Sequence, residues 1–450
     1  MSSDSSLSRL QINHVRNLLG VRLEGIQRVN VFFGHNGSGK TSVLEAIHLL
    51  GMARSFRGSI KSLVTHGQDH CTVFGALEPR STTLGVQRGV TGEVKIKIAG
   101  SPVRTVAELV EYLPVQVINA DSFNLLTGSP GARRQYLDWG VFHVEHRFFD
   151  QWQRFQRGIK QRNKLLRRVK MPTEELAVWT RELAQSGEVL SGYRESYFNR
   201  LTPRFIEIMA QLAPSLTGLE LRYRKGWDKQ LEYQQALENS TMTDIEQGYT
   251  HVGPQRGDVR VLTEGHVAAD TLSRGQQKLV VCGLKLAQGQ LMAEMGRGNC
   301  TYLVDDLPSE LDLQHSSLVC GLLAGMNAQV FITCVHQNDI QAVWPEEKQQ
   351  ELAMFHVEQN YLSEFKAYNK CLKQRNRALR EKMSAKEIGV WDESLSKHGE
   401  NITRMRERHI SEIRRPFEEM SRLFIGKESK IEFKRGWLGS SLYEELKKNI

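Results

Sequence analysis

The stretch GHNGSGKT, from Gly34 to Thr41, decides the fold because it matches the pattern G-x-x-x-x-G-K-[S/T]. An apolar, β-rich segment, IQRVNVFF (26–33), precedes it, and SVLEAIHLL (42–50) has the pattern of a helix. Such a loop directs backbone N–H groups at phosphate oxygens, and the helix adds its positive N-terminal end. The predicted nucleotide-contacting residues of the loop are Gly34, His35, Asn36, Gly37, Ser38, Gly39, Lys40 and Thr41.

A second segment supplies the acids that a phosphate-binding loop requires. TYLVDD (301–306) is an apolar strand that ends in two aspartates. Lys40 is predicted to reach the β- and γ-phosphates, and Thr41 and Asp305 to hold Mg²⁺. Asp306 is predicted to polarise the attacking water as a general base. The predicted catalytic residues are therefore Lys40, Asp305 and Asp306.

A third segment, LSRGQQK (272–278), opens the amphipathic helix KLVVCGLKLAQGQL. Ser273 is predicted to cap this helix, whose exposed N–H groups would form a second phosphate-binding end. One chain has no evident use for two such ends around one nucleotide, whereas two chains do, if each closes the loop of the other. The residues predicted to contact the nucleotide of a partner chain are Ser273, Arg274, Gly275 and Gln276.

Length and composition indicate a multidomain globular protein. The 450 residues contain 40% hydrophobic and 25% charged residues, which is ordinary for such a protein. The N-terminus lacks the pattern of a signal peptide, and no apolar run reaches the length of a membrane helix. The six scattered cysteines form no C-x-x-C pair, so we expect small buried hydrophobes in a reducing cytosol.

The positive charge is concentrated in two windows of the chain. Residues 142–240 contain 17 Lys and Arg against 12 Asp and Glu, and residues 360–450 contain 21 against 14, although the whole chain carries only +9. The run 154–170 carries eight bases and no acid, which suits a phosphate backbone but also fits a solvated helix surface. The candidate DNA-binding residues are Arg157, Lys160, Arg162, Lys164, Arg167 and Arg168.

The same two windows repeat one sequence pattern. FHVEH (142–146) and FHVEQ (355–359) are each followed, at the same distance, by KQRN. A Trp (179 and 391), a Gly-Trp pair and a Tyr then recur in the same order, with an offset that drifts from 213 to 210. We interpret residues 142–240 and 355–450 as two copies of one helical unit. The second copy ends before any second LSRGQQK segment, which we call the signature, so we do not expect it to be a second nucleotide-hydrolysing unit.

The set of motifs resembles the ABC-type ATPase heads of the SMC and RecF superfamily, and within it the RecF family of bacterial recombination-repair proteins. This resemblance covers about residues 7–358. The insert of about a hundred residues lacks sustained heptads, which separates the chain from SMC heads. The segments that carry the resemblance are RNL (16–18), GSGKTSVLEAIHLLG (37–51), RSFR (54–57), GSPGARRQYLDWG (128–140), DTLSRGQQKL (270–279) and VDDLPSELD (304–312).

The resemblance implies an ATP- and Mg²⁺-dependent protein that hydrolyses ATP weakly and forms an ATP-dependent homodimer on DNA. It implies action in the cytoplasm at single-strand gaps, with RecR and RecO, in RecA loading and the response to DNA damage. It also implies that Arg16 lies near the nucleotide. The chain departs from the family pattern at Gln255, where a His is usual, and at His336, two residues later than the usual switch histidine.

We therefore predict an α/β fold: an ABC-type P-loop ATPase head with an inserted helical lobe, plus a mostly α-helical C-terminal extension. The predicted boundaries are 1–141 and 241–358 for the two halves of the head, 142–240 for the lobe and 359–450 for the extension. The extension is either a DNA- or partner-binding arm or the product of joining two similar genes at FHVE. The second is favoured, because a lobe without its sheet leaves an apolar stripe uncovered. Two rival functions remain, a non-hydrolysing ATP-gated DNA clamp and a transporter ATPase, and the basic lobe argues against the transporter.

Overall fold

The computed structural model describes residues 5–168, 173–358, 361–425, 431–437 and 441–447. The chain divides into two compact units, which are described separately. The first comprises residues 1–36 and 40–356, and the second contains residues 357–450. Among the described residues, no helix has the length and apolar character needed to span a membrane.

The elements follow the chain in this order. The strands are β1 (Ser6–Val15), β2 (Leu18–Leu23), β3 (Val29–Phe33), β4 (His70–Glu78), β5 (Thr82–Gly89), β6 (Val94–Ile98), β7 (Ser101–Val103), β8 (Val115–Ile118), β9 (Leu219–Arg224), β10 (Asp258–Thr263), β11 (His266–Val267), β12 (Thr301–Val304), β13 (Gln329–Cys334) and β14 (Leu352–His356). The helices are α1 (Lys40–Met52), α2 (Ile60–Leu63), α3 (Val106–Tyr112), α4 (Asn124–Thr127), α5 (Pro130–Val144), α6 (Phe148–Leu166), α7 (Thr173–Leu212), α8 (Tyr233–Asn239), α9 (Thr241–Gln247), α10 (Ala268–Thr271), α11 (Arg274–Glu294), α12 (Leu307–Glu310), α13 (Leu313–Gly325), α14 (Gln337–Gln341), α15 (Tyr361–Arg380), α16 (Ala385–Ile425) and α17 (Leu442–Lys447).

A parallel sheet with the order β14-β3-β13-β12-β8 forms the centre of the first unit. Every residue of β12 and β13 is buried, which confirms the prediction from their continuous apolar sequences. The register pairs Val304 of β12 with Ile332 of β13, and Ile332 with Val31 of β3. All strands of this sheet therefore end at one edge, where the residues that follow β3 and β12 meet.

Two antiparallel sheets complete the first unit. One has the order β2-β1-β4-β5-β6-β7 and contains the strands predicted between residues 70 and 100. The other has the order β11-β10-β9. Its strand β9 falls within the bounds predicted for the helical lobe, yet it belongs to this sheet because Leu221 pairs with Val261 of β10. Helical structure also begins before the predicted boundary at residue 142, since α5 starts at Pro130, a residue that favours the first turn of a helix.

The helical lobe is built on the long helix α7, against which α6 and α8 pack. Gly187 of α7 lies where the rings of Phe155 and Tyr233 converge, and a Cβ at this position would lie 2.4 Å from the Tyr233 ring and 3.2 Å from the Phe155 ring. Glu188, the next residue, accepts a hydrogen bond of 2.9 Å from the backbone N–H of Tyr233 at the start of α8. The carboxylate thereby satisfies a free N–H group at the start of that short helix.

The second unit repeats this arrangement in α15, α16 and α17. Gly399 of α16 occupies the position of Gly187, and a Cβ there would lie 2.5 Å from Leu442 of α17 and 3.1 Å from the Tyr368 ring of α15. Glu400 accepts a hydrogen bond of 3.0 Å from the backbone N–H of Leu442, as Glu188 does from Tyr233. The described residues therefore support the interpretation as two copies. Part of the C-terminal match, at 438–440 and 448–450, lies outside the described residues.

The two copies differ where the first one contacts the rest of its unit. Phe205 of α7 is fully buried, and α7 packs against α11 there. Its counterpart Phe417 in α16 is 41% exposed. The expectation of an uncovered apolar stripe therefore holds at Phe417. The expectation does not hold for the N-terminal half of α16, where Ile388, Leu395 and Ile402 are buried.

Cysteine burial agrees with the expectation from the sequence. Five of the six cysteines are buried, and Cys371 of α15 is half-buried. Burial raises the pKa of the Cys282 and Cys334 thiols to about 12, so both are neutral at physiological pH.

Candidate active site

The loop between β3 and α1 has the backbone conformation that its glycines permit. Gly37 and Gly39 have φ values of +82° and +113°, which residues with a Cβ rarely adopt. Lys40 is the first residue of α1, and its Nζ donates hydrogen bonds to the carbonyls of Gly34 (2.7 Å) and His35 (3.0 Å). A cationic group therefore lies against the loop that the sequence predicts to hold phosphates.

The acids predicted as partners of this loop lie beside it. Thr41 Oγ1 donates a hydrogen bond of 2.9 Å to Asp305 Oδ1, which links the start of α1 to the end of β12. Thr333 of β13 donates to the same oxygen at 2.8 Å, and its hydroxyl accepts the backbone N–H of Asp306 at 2.9 Å. The structure thus brings together Thr41, Asp305 and Asp306 and adds Thr333. Thr333 was not among the predicted site residues, although its place at the end of an apolar strand was a usable signal.

Burial and charge act in opposite directions on these groups. Burial raises the pKa of the Asp305 carboxyl above its usual range, while the hydrogen bonds from Thr333 and Thr41 and the positive charge of Arg57 lower it. Burial lowers the pKa of the Lys40 ammonium, and the nearby negative charges of Asp306 and Asp305 oppose that shift. Lys40 therefore lies within electrostatic reach of both predicted catalytic acids.

Asp306 has a backbone conformation that is uncommon outside glycine. Its φ of 54° and ψ of 46° place it in the left-handed region, directly before the short helix α12. Pro308 lies in the first turn of α12, where a missing N–H costs little, so it fits the chain locally. Strained conformations of this kind are common at functional sites, where the surrounding structure holds them.

The signature segment forms the capped helix end that was predicted. Ser273 Oγ accepts the backbone N–H of Gln276 at 3.3 Å, and the Gln276 side chain accepts the backbone N–H of Ser273 at 3.0 Å, a reciprocal capping box. Ser273, Arg274 and Gly275 are exposed, and the space around the Gly275 Cα is open. Lys278, one turn later, pairs with Glu310 of α12 at 2.8 Å and so joins the signature helix to the segment that follows Asp306.

Arg16 is anchored on the helix that follows the loop. Its Nε and Nη2 atoms each lie 2.8 Å from a carboxylate oxygen of Glu45, a fully buried residue of α1, and Nη1 donates to the Ser62 carbonyl. The hydrogen bonds that Arg16 donates to Glu45 raise the pKa of the Arg16 guanidinium. The guanidinium is thus fixed beside α1, and its implied proximity to nucleotide stays a prediction.

One of the candidate DNA-binding residues was wrongly assigned. Arg162 has no exposed surface, and its Nη1 atom contacts Asp244 Oδ2 at 2.7 Å and Thr250 Oγ1 at 2.8 Å. It turns into the lobe because the KQRN segment places it on the buried face of α6. The other candidates lie on exposed positions of α6 or directly after it; they are Arg157, Lys160, Lys164, Arg167 and Arg168.

Two residues that depart from the family pattern have local structural roles. Gln255 Nε2 donates to the Val252 carbonyl at 2.9 Å and to the Thr250 carbonyl at 3.3 Å, so its amide stabilises the turn. His336 is the N-cap of α14, and its backbone N–H donates to Asp339 at 2.8 Å.

Comparison with known proteins identifies the family. The model of the RecF/RecN/SMC N-terminal domain matches residues 6–362. "DNA replication and repair protein RecF" of Stutzerimonas stutzeri is 51% identical over 363 residues, which are 80% of this chain and 97% of that protein. The protein of the same name from Pseudomonas syringae pv. syringae is 48% identical over 80% of this chain and 98% of its own length.

Solved structures agree with this assignment. The recombination mediator protein RecF-ATP in the RecFOR pathway superposes with a TM-score of 0.68 and 25% sequence identity, covering 75% of this chain and 94% of that one. A second structure, RecF-ATPrS, has a TM-score of 0.67. The predicted ABC-type ATPase head is thereby confirmed, and the chain belongs to the RecF family of DNA replication and repair proteins.

Proposed function

We propose that this protein binds ATP with Mg²⁺, dimerises with it on DNA and hydrolyses it slowly, in recombinational repair and replication restart. The observation that carries the proposal is the hydrogen-bonded set of Thr41, Asp305 and Thr333 beside Lys40. These groups come from the ends of two neighbouring parallel strands, β12 and β13, and from the start of α1, the helix after a third strand, β3. Phosphoryl transfer depends on such fixed positioning of charge.

The residues present fit a magnesium ion. The Thr41 hydroxyl and the Asp305 carboxylate would hold it, since hard oxygen ligands are those that Mg²⁺ prefers. Bound there with ATP, it would neutralise charge on the phosphates. Lys40 adds a second positive charge, and Asp306 accepts the proton of the attacking water. Thr333 orients both acids because it bonds the side chain of Asp305 and the backbone of Asp306.

The dimer would use the exposed N-terminal end of α11. Ser273 caps α11 and is exposed, as are Arg274 and Gly275, so these groups are accessible to the nucleotide of a second chain. The N-terminus of α11, a helix of 21 residues, carries a partial positive charge that favours phosphate. Hydrolysis would separate the two chains and release DNA.

The exposed bases on α6 and directly after it support binding to the DNA backbone. Arg157, Lys160, Lys164 and Arg167 are all solvent-exposed, and phosphate contacts by such side chains dominate affinity for DNA. Single-strand gaps in the cytoplasm would be the site of action. RecR, RecO and RecA would be partners, a proposal that the RecFOR pathway of the similar solved structures supports.

Light scattering and fluorescence anisotropy, each with and without ATP and Mg²⁺, test this proposal. We expect wild type to dimerise and bind DNA with ATP, and Lys40→Met to do neither. Asp306→Asn should bind ATP and dimerise but turn ATP over on the order of 100-fold more slowly, since it loses the general base. It should also remain on DNA longer.

The same variants distinguish the proposed function from the rival function of a non-hydrolysing clamp. If wild type turns over no ATP and Asp306→Asn leaves DNA release unchanged, the protein is a non-hydrolysing ATP-gated clamp. If wild type binds no ATP, or binds DNA equally without it, the proposed function is wrong.

A further inference from the structure

The two helical copies keep the same exposed bases on equivalent helices. We call Arg157, Lys160 and Lys164 of α6, together with Arg167 directly after it, the lobe stripe. At an offset of 213, their counterparts on α15 are also basic and exposed, and we call them the tail stripe. The tail stripe consists of Lys370, Lys373, Arg377 and Arg380.

On these helices and directly after them, the exposed bases outside the stripes are not kept between the copies. Arg154, exposed on α6, corresponds to Ala367, and Arg168 corresponds to Glu381, which reverses the charge. A solvated helix surface requires charge only in general, and so would not favour these four positions over their neighbours. The retained feature is therefore the stripe and not the total charge of the helix.

The tail stripe is a continuous surface. At 100° per residue its four positions fall within an arc of about 80°, and at 1.5 Å per residue they span about 15 Å. Arg375 and Ala378 lie on the other side of α15 and are buried within the second unit. Arg377 has a side chain that is 79% exposed, and its surface pair with Glu381 is of a kind that contributes only a few tenths of a kcal/mol. Such a row matches the regular negative charge along a DNA strand.

We propose that the tail stripe is a second binding site for the DNA phosphate backbone, so that each chain contacts DNA through two copies of one surface. Phosphate contacts carry little sequence information, and the site would therefore bind DNA without sequence preference. This inference rests on the DNA binding proposed above and adds a site in the part of the chain beyond residue 362, where the family model ends.

The test compares full-length variants that lose the same charge. The stripe variant is Lys370→Gln, Lys373→Gln, Arg377→Gln and Arg380→Gln. The control changes four exposed bases elsewhere in the second unit: Lys382→Gln, Lys397→Gln, Arg404→Gln and Arg414→Gln. Glutamine keeps helix propensity, and circular dichroism and melting check that each variant is folded. A double variant, Lys370→Gln and Lys373→Gln, serves if the quadruple variant is unfolded.

Binding of a fluorescent duplex is measured by anisotropy at several salt concentrations with ATP and Mg²⁺. We expect the stripe variant to bind at least tenfold more weakly, with the slope of log affinity against log salt reduced by about 2 to 4, since each lost phosphate contact removes about 0.9. The control should change the slope by less than about 1. Equal behaviour of the two variants would overturn the inference, and it is also the result expected if the stripe serves an acidic protein. Failure of wild type to bind DNA would overturn the proposed function as well.

Discussion

Thr41 and Asp305 are 264 residues apart in the chain, yet the hydroxyl of one donates a 2.9 Å hydrogen bond to the carboxylate of the other. The contact exists because β3 and β12 both pair with β13, which brings the carboxyl ends of the three strands to one edge. Thr333 of β13 bonds the same carboxylate oxygen. Two hydroxyls from neighbouring elements therefore hold the Asp305 carboxylate in place.

Asp305→Asn should lower ATP turnover on the order of 100-fold, because the amide has no negative charge with which to hold Mg²⁺. Mg²⁺ titration of ATP binding provides the measurement, and the midpoint should move to higher Mg²⁺. Thr333→Val is the matched variant, since it removes the hydroxyl and leaves the carboxylate. It should reduce turnover less than Asp305→Asn does. An unchanged Mg²⁺ midpoint in Asp305→Asn would exclude its role as a metal ligand.

Arg162→Met should destabilise the first unit by about 3 to 5 kcal/mol, because Asp244 remains as a buried carboxylate without its cation. Chemical denaturation of the two proteins provides the measurement. Asp244→Asn in the same chain should recover part of the loss, since it removes the charge as well. A loss of DNA binding by Arg162→Met without loss of stability would restore Arg162 as a DNA contact.

Asp392→Thr should destabilise the second unit although it restores the residue of the first copy. Arg162 donates to Thr180 at 3.1 Å and pairs with Asp244, whereas its counterpart Arg375 pairs with Asp392, at the position of Thr180. Asp392 thus supplies to Arg375 the negative charge that Asp244 supplies to Arg162. Limited proteolysis should cleave the variant faster within residues 361–425. A protease pattern like that of wild type would contradict this account.

Gly187→Ala should lower stability by about 1 to 3 kcal/mol, because the added Cβ would lie 2.4 Å from the Tyr233 ring. Gly192→Ala is the control on the same helix, with nothing within 4 Å of the added atom. That change should be neutral or stabilise the lobe by up to about 1 kcal/mol through helix propensity. Thermal unfolding distinguishes the two, and similar melting temperatures would show that the contact at Gly187 relaxes.

Stability should fall between pH 7 and pH 5, in part through His48. Burial lowers the pKa of His48 from 6.5 to about 4, and its Nδ1 lies 2.7 Å from the Arg54 carbonyl. The unfolded chain therefore takes up a proton first as the pH falls. The stability from neutral His48 is complete above pH 6.5 and is lost as the pH falls toward 4, by about 2 kcal/mol at pH 5.

His48→Asn keeps a donor near the Arg54 carbonyl and cannot take up this proton. The variant should therefore lose less stability than wild type between pH 7 and pH 5. Denaturation curves at the two pH values give the difference for each protein. Equal pH-dependent losses in both would show that His48 does not contribute.

Local patterns were sufficient to predict much of the site. The P-loop, the two acids after β12 and the capping Ser273 are each encoded in a few adjacent residues, because they depend on glycine conformation, strand ends and helix caps. The exposed bases of the lobe were predicted for the same reason, whereas the sixth base between them, Arg162, is buried. Its burial depends on Asp244 and Thr250, which lie more than 80 residues later in the chain. No local pattern contains that information.

The repeated segment FHVE shows what the sequence alone does not determine. Its recurrence indicated the start of two related segments. The structure supports their relation, because Gly187 and Gly399 occupy equivalent positions in the packing of the two copies. Yet residues 142–144 end helix α5, whereas Phe355 and His356 end strand β14. The second copy is extended because Phe355 pairs with Phe32 at the edge of the parallel sheet, and the first is helical because the chain continues the helix begun at Pro130. The sequence determined the repeat and the chemistry of the loop, and only the tertiary contacts decided which conformation the same four residues adopt.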